Sequence, residues 1–288
     1  MSRSIILVLH PSRPEAHRLA GEVVDALNKE EISVWSATEV SIPGVESKSN
    51  EEIRESIRKH ELVLVLGGDG TILRGAEIAH GTDTPVLGIN LGHVGFLAQI
   101  KKPTVTELVS AIKNRSYKFE KRMTLAYRVF RGESTITEGW ALNEVTVERN
   151  TEAMIELFVQ IDHRPLSRWG CDGVICATPT GSTAYAFSAG GPVVWPDVEA
   201  LVLLPLAAHA LFSDPMVVSP DSEIAIDVES DSGVLSADGL RKFQLLEGDR
   251  ILLTSVKSFV SLAHLDDVAF TDRLVAKFKL PVDGWRGE

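Results

Sequence analysis

The chain has 288 residues, with 29 Lys and Arg against 40 Asp and Glu, a formal net charge of −11. At roughly 100–200 residues per domain this length suggests two domains, and the acidic balance argues against nucleic-acid binding, because phosphate backbones recruit basic faces. Two cysteines, Cys171 and Cys176, are too few for a disulfide scaffold or a structural zinc site. The opening residues lack a signal-peptide layout, and the longest apolar stretch, Leu201 to Phe212, is broken by Pro205 and His209 and too short to span a bilayer. A cytoplasmic globular protein that does not bind membranes is expected.

The first 116 residues alternate between two periodicities. Ile5 to Leu9 is a continuous apolar run, the mark of a strand buried on both faces. Ala16, Leu19, Ala20, Val23, Val24 and Leu27 then recur at helical spacing, followed by a strand-like ISVW. Ser49 and Glu52 have capping-box spacing before a helix carrying Ile53 and Ile57. Buried runs follow at Leu62 to Leu66 and Pro85 to Asn90, and Thr104 and Glu107 repeat the capping spacing ahead of Leu108, Val109 and Ile112. Strands alternating with helices predict a parallel sheet covered on both faces. From Tyr117 the pattern changes to short, often alternating apolar segments (LAYRVF, ALNEVTVER, MIELFVQI, EIAIDV, RILLTSV) divided by Gly, Asp, Ser or Pro. That predicts an antiparallel β-rich, sandwich-like domain over 117–267, with a helix beginning near Thr183 to Ala189. Phe270, Leu274, Val275 and Phe278 are helical again, so the tail 268–288 is expected to return to the α/β, Rossmann-like domain of 1–116.

Chemistry concentrates in three places. A buried strand ends in Gly67-Gly68-Asp69-Gly70-Thr71, where glycines let the backbone approach a ligand and free N–H groups can bind phosphate. Asp69 sits where open α/β sheets place ligands, with Arg74 about one turn further on. Such a carboxylate suits proton acceptance during phosphoryl transfer; a plain strand-to-helix turn uses the same residue types. The turn is neither a Walker A nor a G-x-G-x-x-G fingerprint, and His10 to Pro14 holds no glycine, which disfavours a standard dinucleotide dehydrogenase. The second place is Asp172-Gly173 and the segment ATPTGSTAYAFSAGGP over 177–192, rich in hydroxyls and glycine, with Tyr185 able to stack on a base; Ser/Thr/Gly loops are also common surface connections. The third, Asn143-Glu144, suits ribose hydroxyls or a purely structural role.

Together GGDGT at 67–71, Asn143-Glu144, CDGVICATPTGSTAYAFSAGGP at 171–192, PLAAHAL at 205–211 and the tail TDRLVAKFKLPVDGWRG resemble the NAD kinase family over nearly the whole chain. GGDGT alone is shared with lipid kinases and, more distantly, phosphofructokinases; the TPTGSTAY stretch is far more particular. The resemblance implies transfer of a phosphoryl group from ATP or inorganic polyphosphate to the adenosine ribose 2′-hydroxyl of NAD, giving NADP. It implies that Asp69 accepts the hydroxyl proton, with Gly70 in the same loop and Arg74 at a nucleotide-binding position. Asn143 and Glu144 match ribose-holding positions, and Asp172, Thr183, Ala184, Tyr185, Ala186, Phe187 and Ser188 match the walls around adenine and nicotinamide. His209 corresponds to a histidine near the phosphate, or is a satisfied core histidine. Two positions depart from the family pattern: Gly170 and Cys171 precede Asp172 where a basic residue is common, and Leu240 follows Asp238-Gly239 where glutamine is common. The resemblance further implies a homodimer or homotetramer, and Mg²⁺ or another divalent cation held mainly by substrate phosphates rather than by protein metal ligands. A lipid kinase sharing GGDGT would lack the TPTGSTAY loop, and a dinucleotide-binding sensor would need no aspartate at 69.

Overall fold

The computed structural model describes residues 3–37, 41–92, 95–99, 102–230, 232–267 and 269–282. The chain divides into two compact units, one made of residues up to Lys121 and from Val260 onward, the other of Arg122–Phe259. The change in composition along the sequence predicts boundaries at 116/117 and 267/268. Both observed divisions instead fall inside long strands, where no turn residue marks them.

In the first unit the chain runs β1 (Arg3–Leu9), α1 (Pro14–Lys29), β2 (Ile32–Ser36), β3 (Val45–Ser47), α2 (Asn50–Ser56), β4 (Val63–Leu66), α3 (Asp69–Ala79), β5 (Val86–Ile89) and α4 (Val105–Asn114). The strands are parallel and ordered β5-β4-β1-β2-β3. The runs read as buried on both faces are so: Ile5 to Leu9 and Val63 to Leu66 are buried throughout. The helical stripe of α1 (Ala16, Leu19, Ala20, Val23, Val24, Leu27) packs into the same cluster as Ile5, Leu7 and Leu64. Both capping boxes form. The Ser49 N–H donates to Glu52 at 2.8 Å and the Glu52 N–H returns to Ser49 Oγ at 3.2 Å; Thr104 and Glu107 repeat these distances. Ile57, expected within the second helix, lies just past it in a single 3₁₀ turn. The chain winds outward from β1 in one direction through β2 and β3, then resumes on its other side at β4. This reversal of strand order makes the carboxyl edge between β1 and β4 the place where such sheets bind ligands, and the Gly67 turn leaves β4 there.

The second unit holds two sheets. Its strands are β6 (Lys118–Arg131), β7 (Ser134–Ala141), β8 (Glu144–Arg149), β9 (Ile155–Ile161), β10 (Arg164–Cys171), β11 (Gly173–Ala177), then a short α5 (Tyr185–Ser188), β12 (Leu201–Leu206), β13 (Met216–Val218), β14 (Ile224–Val228), β15 (Ser232–Ala237), β16 (Arg241–Leu246) and β17 (Asp249–His264). One sheet runs β10-β9-β14-β17-β6-β7 and the other β13-β12-β11-β8-β15-β16. Leu125, Leu157, Trp169 and Ile251 from the first meet Val145, Val147, Leu203 and Leu235 from the second in one core, which is the expected sandwich. β11 is buried at every position because its other face is also covered: Ile175 and Ala177 pack with Ala186 and Val194 of the returning Gly-rich segment. The helix expected at Thr183 to Ala189 is shorter than read: a 3₁₀ turn over Gly181–Thr183, a break at Ala184 (φ −102°, ψ −123°), and the single turn of α5.

Within the first unit the end of β17 adds a parallel strand beside β5, with Leu262 opposite Val86 and Ala263 opposite Leu87. A final helix, α6 (Phe270–Phe278), packs there as expected, with Phe270 and Phe278 each 5.9 Å in ring centroid from Phe96. Residues 283–288 of the expected returning tail lie outside the described residues. No helix among the described residues is long and apolar enough to cross a membrane.

Candidate active site

At the carboxyl edge of the parallel sheet, Gly67 and Gly68 turn the chain from β4 into α3. Asp69 is the first helical residue, and no side chain caps this end of the helix. Its carboxylate is held from the side: the Phe96 N–H donates to Oδ2 at 2.8 Å and the Leu97 N–H to Oδ1 at 3.3 Å. Two amide donors on two oxygens fix the plane of the carboxylate. Gly95 is required by this approach, since a Cβ there would lie 2.1 Å from Oδ1. At Gly68 and Gly70 the opposite holds: a Cβ would meet nothing within 4 Å, so the protein's own packing leaves that side of the loop open. Gly70 and Arg74 are exposed. The start of α3 therefore presents uncapped backbone N–H groups beside an oriented carboxylate, a ready anion site next to a proton acceptor. No sequence motif marks Phe96 and Leu97 as functional; their role comes from the contact of their amides with Asp69.

In the β unit, Asn143-Glu144 enters β8 under the control of Asp238. Asp238 adopts φ +55° in the turn after β15, and its carboxylate accepts the Leu142 N–H at 2.9 Å, the Asn143 N–H at 2.7 Å and the Arg241 guanidinium at 2.8 Å. Its own N–H donates to the Glu144 carbonyl at 3.0 Å. Burial raises the Asp238 carboxyl above the usual range despite these partners. Glu144 is only 7% exposed, and its Oε2 has no hydrogen-bond partner. Burial, with the nearby charges of Asp238 and Glu148, pushes its carboxyl up to about 8, against a lowering contribution from the Tyr185 backbone N–H. At neutral pH it is therefore mostly a neutral acid, able to donate as well as accept. It lines a cavity of about 480 Å³ with Thr146, Glu148, Tyr185, Asp238 and Lys242. Glu148 is already engaged by the Thr146 hydroxyl at 2.6 Å and the Tyr185 hydroxyl at 3.3 Å.

A neighbouring cavity of about 630 Å³ shares Glu148, Arg149 and Tyr185 and adds Asp172, Ser188 and Leu206. Asp172 pairs with Arg149 at 2.7 Å. Tyr185, 40% exposed, borders both spaces, and Phe187 and Ser188 are exposed beside it. The hydroxyls of the Gly-rich segment divide into two sets. Thr178 Oγ1 donates to the Leu142 carbonyl at 2.5 Å, Ser182 Oγ donates to the Pro179 carbonyl at 2.7 Å, and Thr183 Oγ1 donates to the Thr180 carbonyl at 3.2 Å. These three shape the turn. Gly181 is needed for the same closure, because a Cβ there would lie 2.0 Å from the Asn143 carbonyl oxygen. Ala184 is half-buried and Ala186 wholly buried in the apolar cluster under the loop. His209 is exposed, its N–H donating to the Gly170 carbonyl at 2.9 Å, so it is not a core histidine. Leu240, at the second departure from the family pattern, is also exposed. Among the described residues no three His, Cys, Asp or Glu side chains gather into a metal cage.

The sequence matches the family model of the ATP-NAD kinase N-terminal domain over residues 5–117 and that of the ATP-NAD kinase C-terminal domain over residues 142–265. It is 47% identical to the NAD kinase of Thermobifida fusca over 300 residues, covering 99% of this chain and 92% of that protein. It is 45% identical to the NAD kinase of Mycobacterium tuberculosis over 303 residues, covering 99% of each. Among solved structures, an NAD kinase from Archaeoglobus fulgidus in complex with ATP aligns with a TM-score of 0.73 and 26% identity, over 96% of this chain and 98% of that one. A yeast NADH kinase complexed with NADH shares the fold at a TM-score of 0.89 and 23% identity, over 100% of this chain and 90% of that one. Two family models that between them span most of the chain, and full-length relatives at this identity, make the chain a member of the NAD kinase family and a phosphotransferase of that class.

Proposed function

We propose that the protein transfers a phosphoryl group from ATP or inorganic polyphosphate to the adenosine ribose 2′-hydroxyl of NAD, giving NADP. The observation that carries this reading is the Asp69 carboxylate, fixed by two backbone N–H groups at an uncapped helix start. Asp69 takes the proton from the 2′-hydroxyl as the oxygen attacks the donor's terminal phosphorus, whose bond to the bridging oxygen breaks and releases ADP or a polyphosphate shortened by one unit. Amides of the Gly68–Gly70 turn and the guanidinium of Arg74 draw the phosphates, which suits a reaction that depends on positioning and charge neutralisation. Asn143 and Glu144 hold the ribose, the neutral Glu144 both donating to and accepting from its hydroxyls. Tyr185 stacks on a base, while Asp172, Thr183, Ala184, Ala186, Phe187 and Ser188 form or support the walls of the dinucleotide site, and His209 reaches a phosphate. Mg²⁺ or another divalent cation would be held mainly by the substrate phosphates. When bound, that ion neutralises phosphate oxygens. The working form is proposed to be a cytoplasmic homodimer or homotetramer.

The test is direct. Pure protein is incubated with NAD, Mg²⁺ and either ATP or polyphosphate, and NADP is read with an NADP-specific dehydrogenase. Product with one donor, both, or a preference between them fixes the donor; measurable NAD binding without product from either would favour a sensor and overturn the reading. Asp69→Asn is expected to fold normally and lose roughly 10²–10⁴-fold in kcat. Near-normal turnover in that variant would sink the assignment of the base.

A further inference from the structure

The amides that hold Asp69 are themselves held from behind. Phe96, whose N–H donates to Asp69, and Ala98, two residues on, both accept hydrogen bonds through their carbonyls from Nη1 of Arg273, at 3.3 Å in the case of Phe96. Arg273 lies on α6, yet it is only 3% exposed. Its Nη2 faces His264 Nδ1 at 3.2 Å, and Gln99 Nε2 faces the same nitrogen at 3.3 Å. Both facing groups are donors, so Nδ1 is the acceptor and the imidazole hydrogen sits on Nε2. From there it donates to Glu120 Oε2 at 3.1 Å. A continuous chain of polar contacts thus runs from Glu120 through His264 and Arg273 to the 96–98 backbone, and from its amides to the Asp69 carboxylate.

We propose that Arg273 is a positioning residue for phosphoryl transfer, holding the 96–98 backbone so that its amides aim the Asp69 carboxylate. The proposal rests on Asp69 being the base. Burying a guanidinium is costly unless its donors are satisfied, and here Nη1 meets two carbonyls and Nη2 an imidazole nitrogen. A lysine would offer one point charge in place of that fork. Removing the fork would free the Phe96 and Ala98 carbonyls, and the Phe96 and Leu97 amides would then wander relative to Asp69. Small displacements of a reacting group are expensive: an error near 1 Å can cost on the order of 10²-fold in rate.

The experiment compares Arg273→Gln and Arg273→Lys in the full-length protein, each alone and combined with Asp69→Asn. In the otherwise native chain, Arg273→Gln is expected to lower kcat by about 10–100-fold. The KM for NAD should stay within roughly two-fold, and Arg273→Lys should recover part of the loss. Deuterium uptake at 95–99 should rise while that of the Ile5–Leu9 strand stays unchanged. On the Asp69→Asn background the same substitution should lower residual turnover by less than about two-fold, because a residue acting through Asp69 has nothing left to act on. A folded Arg273→Gln protein with native kcat would overturn the proposal, as would an equal loss on both backgrounds. If the glutamine variant does not fold, the lysine variant carries the same comparison. Native kcat in Asp69→Asn alone would instead overturn the base assignment, so the two failures are distinct.

Discussion

Asp69 and Glu144 are both carboxyl groups proposed to meet the substrate, and their surroundings set them to opposite tasks. Asp69 is half-exposed and accepts two amide hydrogens, while Glu144 is buried with an oxygen left unpartnered beside Asp238 and Glu148. Holding a group with its pKa raised to about 8 has a consequence for stability. The unfolded chain releases this proton near the ordinary value of 4.5, whereas the folded protein keeps it until about 8. Glu144 therefore favours folding below about 4.5, and that advantage is lost progressively as the pH rises through about 8. Glu144→Gln removes the titration but keeps the shape. It is expected to raise the melting temperature at pH 8 by several degrees and to change it little at pH 4, as thermal scans across that range would show. An equal shift at both pH values would mean that the carboxyl is not held neutral. Stability gained by deleting a site group is the usual signature of a residue kept for function. Of these facts the sequence showed only the Asn-Glu pair, since Asp238, whose carboxylate holds the Leu142 and Asn143 amides, lies far along the chain.

At the scale of elements, what was legible was local. Capping boxes, apolar runs and helical stripes are written in consecutive residues, and Ser49, Thr104 and the α1 stripe behave as their spacing says. The Gly67–Thr71 turn was legible for the same reason. The 95–99 segment was not, because its role comes from a meeting between the end of β5 and the start of α3 that only the parallel pairing of β4 with β5 brings about. The Gly-rich segment was half-legible: its hydroxyls were visible, but whether each faces the chain or a ligand depends on how the loop folds back over β11. These two kinds of element predict different failures. Thr104→Ala removes a helix cap and should cost about 1 kcal/mol of stability with kcat unchanged. Gly95→Ala places a methyl group where Asp69 Oδ1 now sits. It should lower kcat by at least about tenfold while the melting temperature falls less than in the cap variant. If the cap variant instead loses activity and Gly95→Ala keeps it, the 95–99 segment is not what orients Asp69.

For the whole molecule, a −11 charge gives no overall attraction for anionic substrates, so phosphate binding falls to local devices. It also bears on acid tolerance, because each unit fastens itself with a carboxylate. In the α/β unit Glu61 is half-buried. Burial alone would raise its carboxyl, but hydrogen bonds from Arg3 and Arg115 hold it below the usual range. In the β unit Asp249 has a wholly buried side chain. There too burial pulls upward and is outweighed, by the Arg131 fork at 2.7 and 2.8 Å and the Leu246 N–H at 2.9 Å. Buried His60 adds to the acid sensitivity of the first unit, since burial holds its ring neutral below the pH at which the unfolded chain takes up the proton. For all three groups the folded value is lowered, so their contribution is present above the unfolded value and is lost as the pH falls through the folded one. The histidine contribution fades first, beginning near pH 6.5, and the carboxylates follow below their ordinary values of 4.5 and 3.8. Asp249→Asn should therefore melt earlier than the native chain at pH 7, with the two melting temperatures converging as the pH is lowered toward 3. Glu61→Gln should do the same through the other unit. Calorimetry from pH 7 to 3 tests this: parallel curves with a constant gap would mean that the ionised carboxylates contribute nothing to fastening the two units.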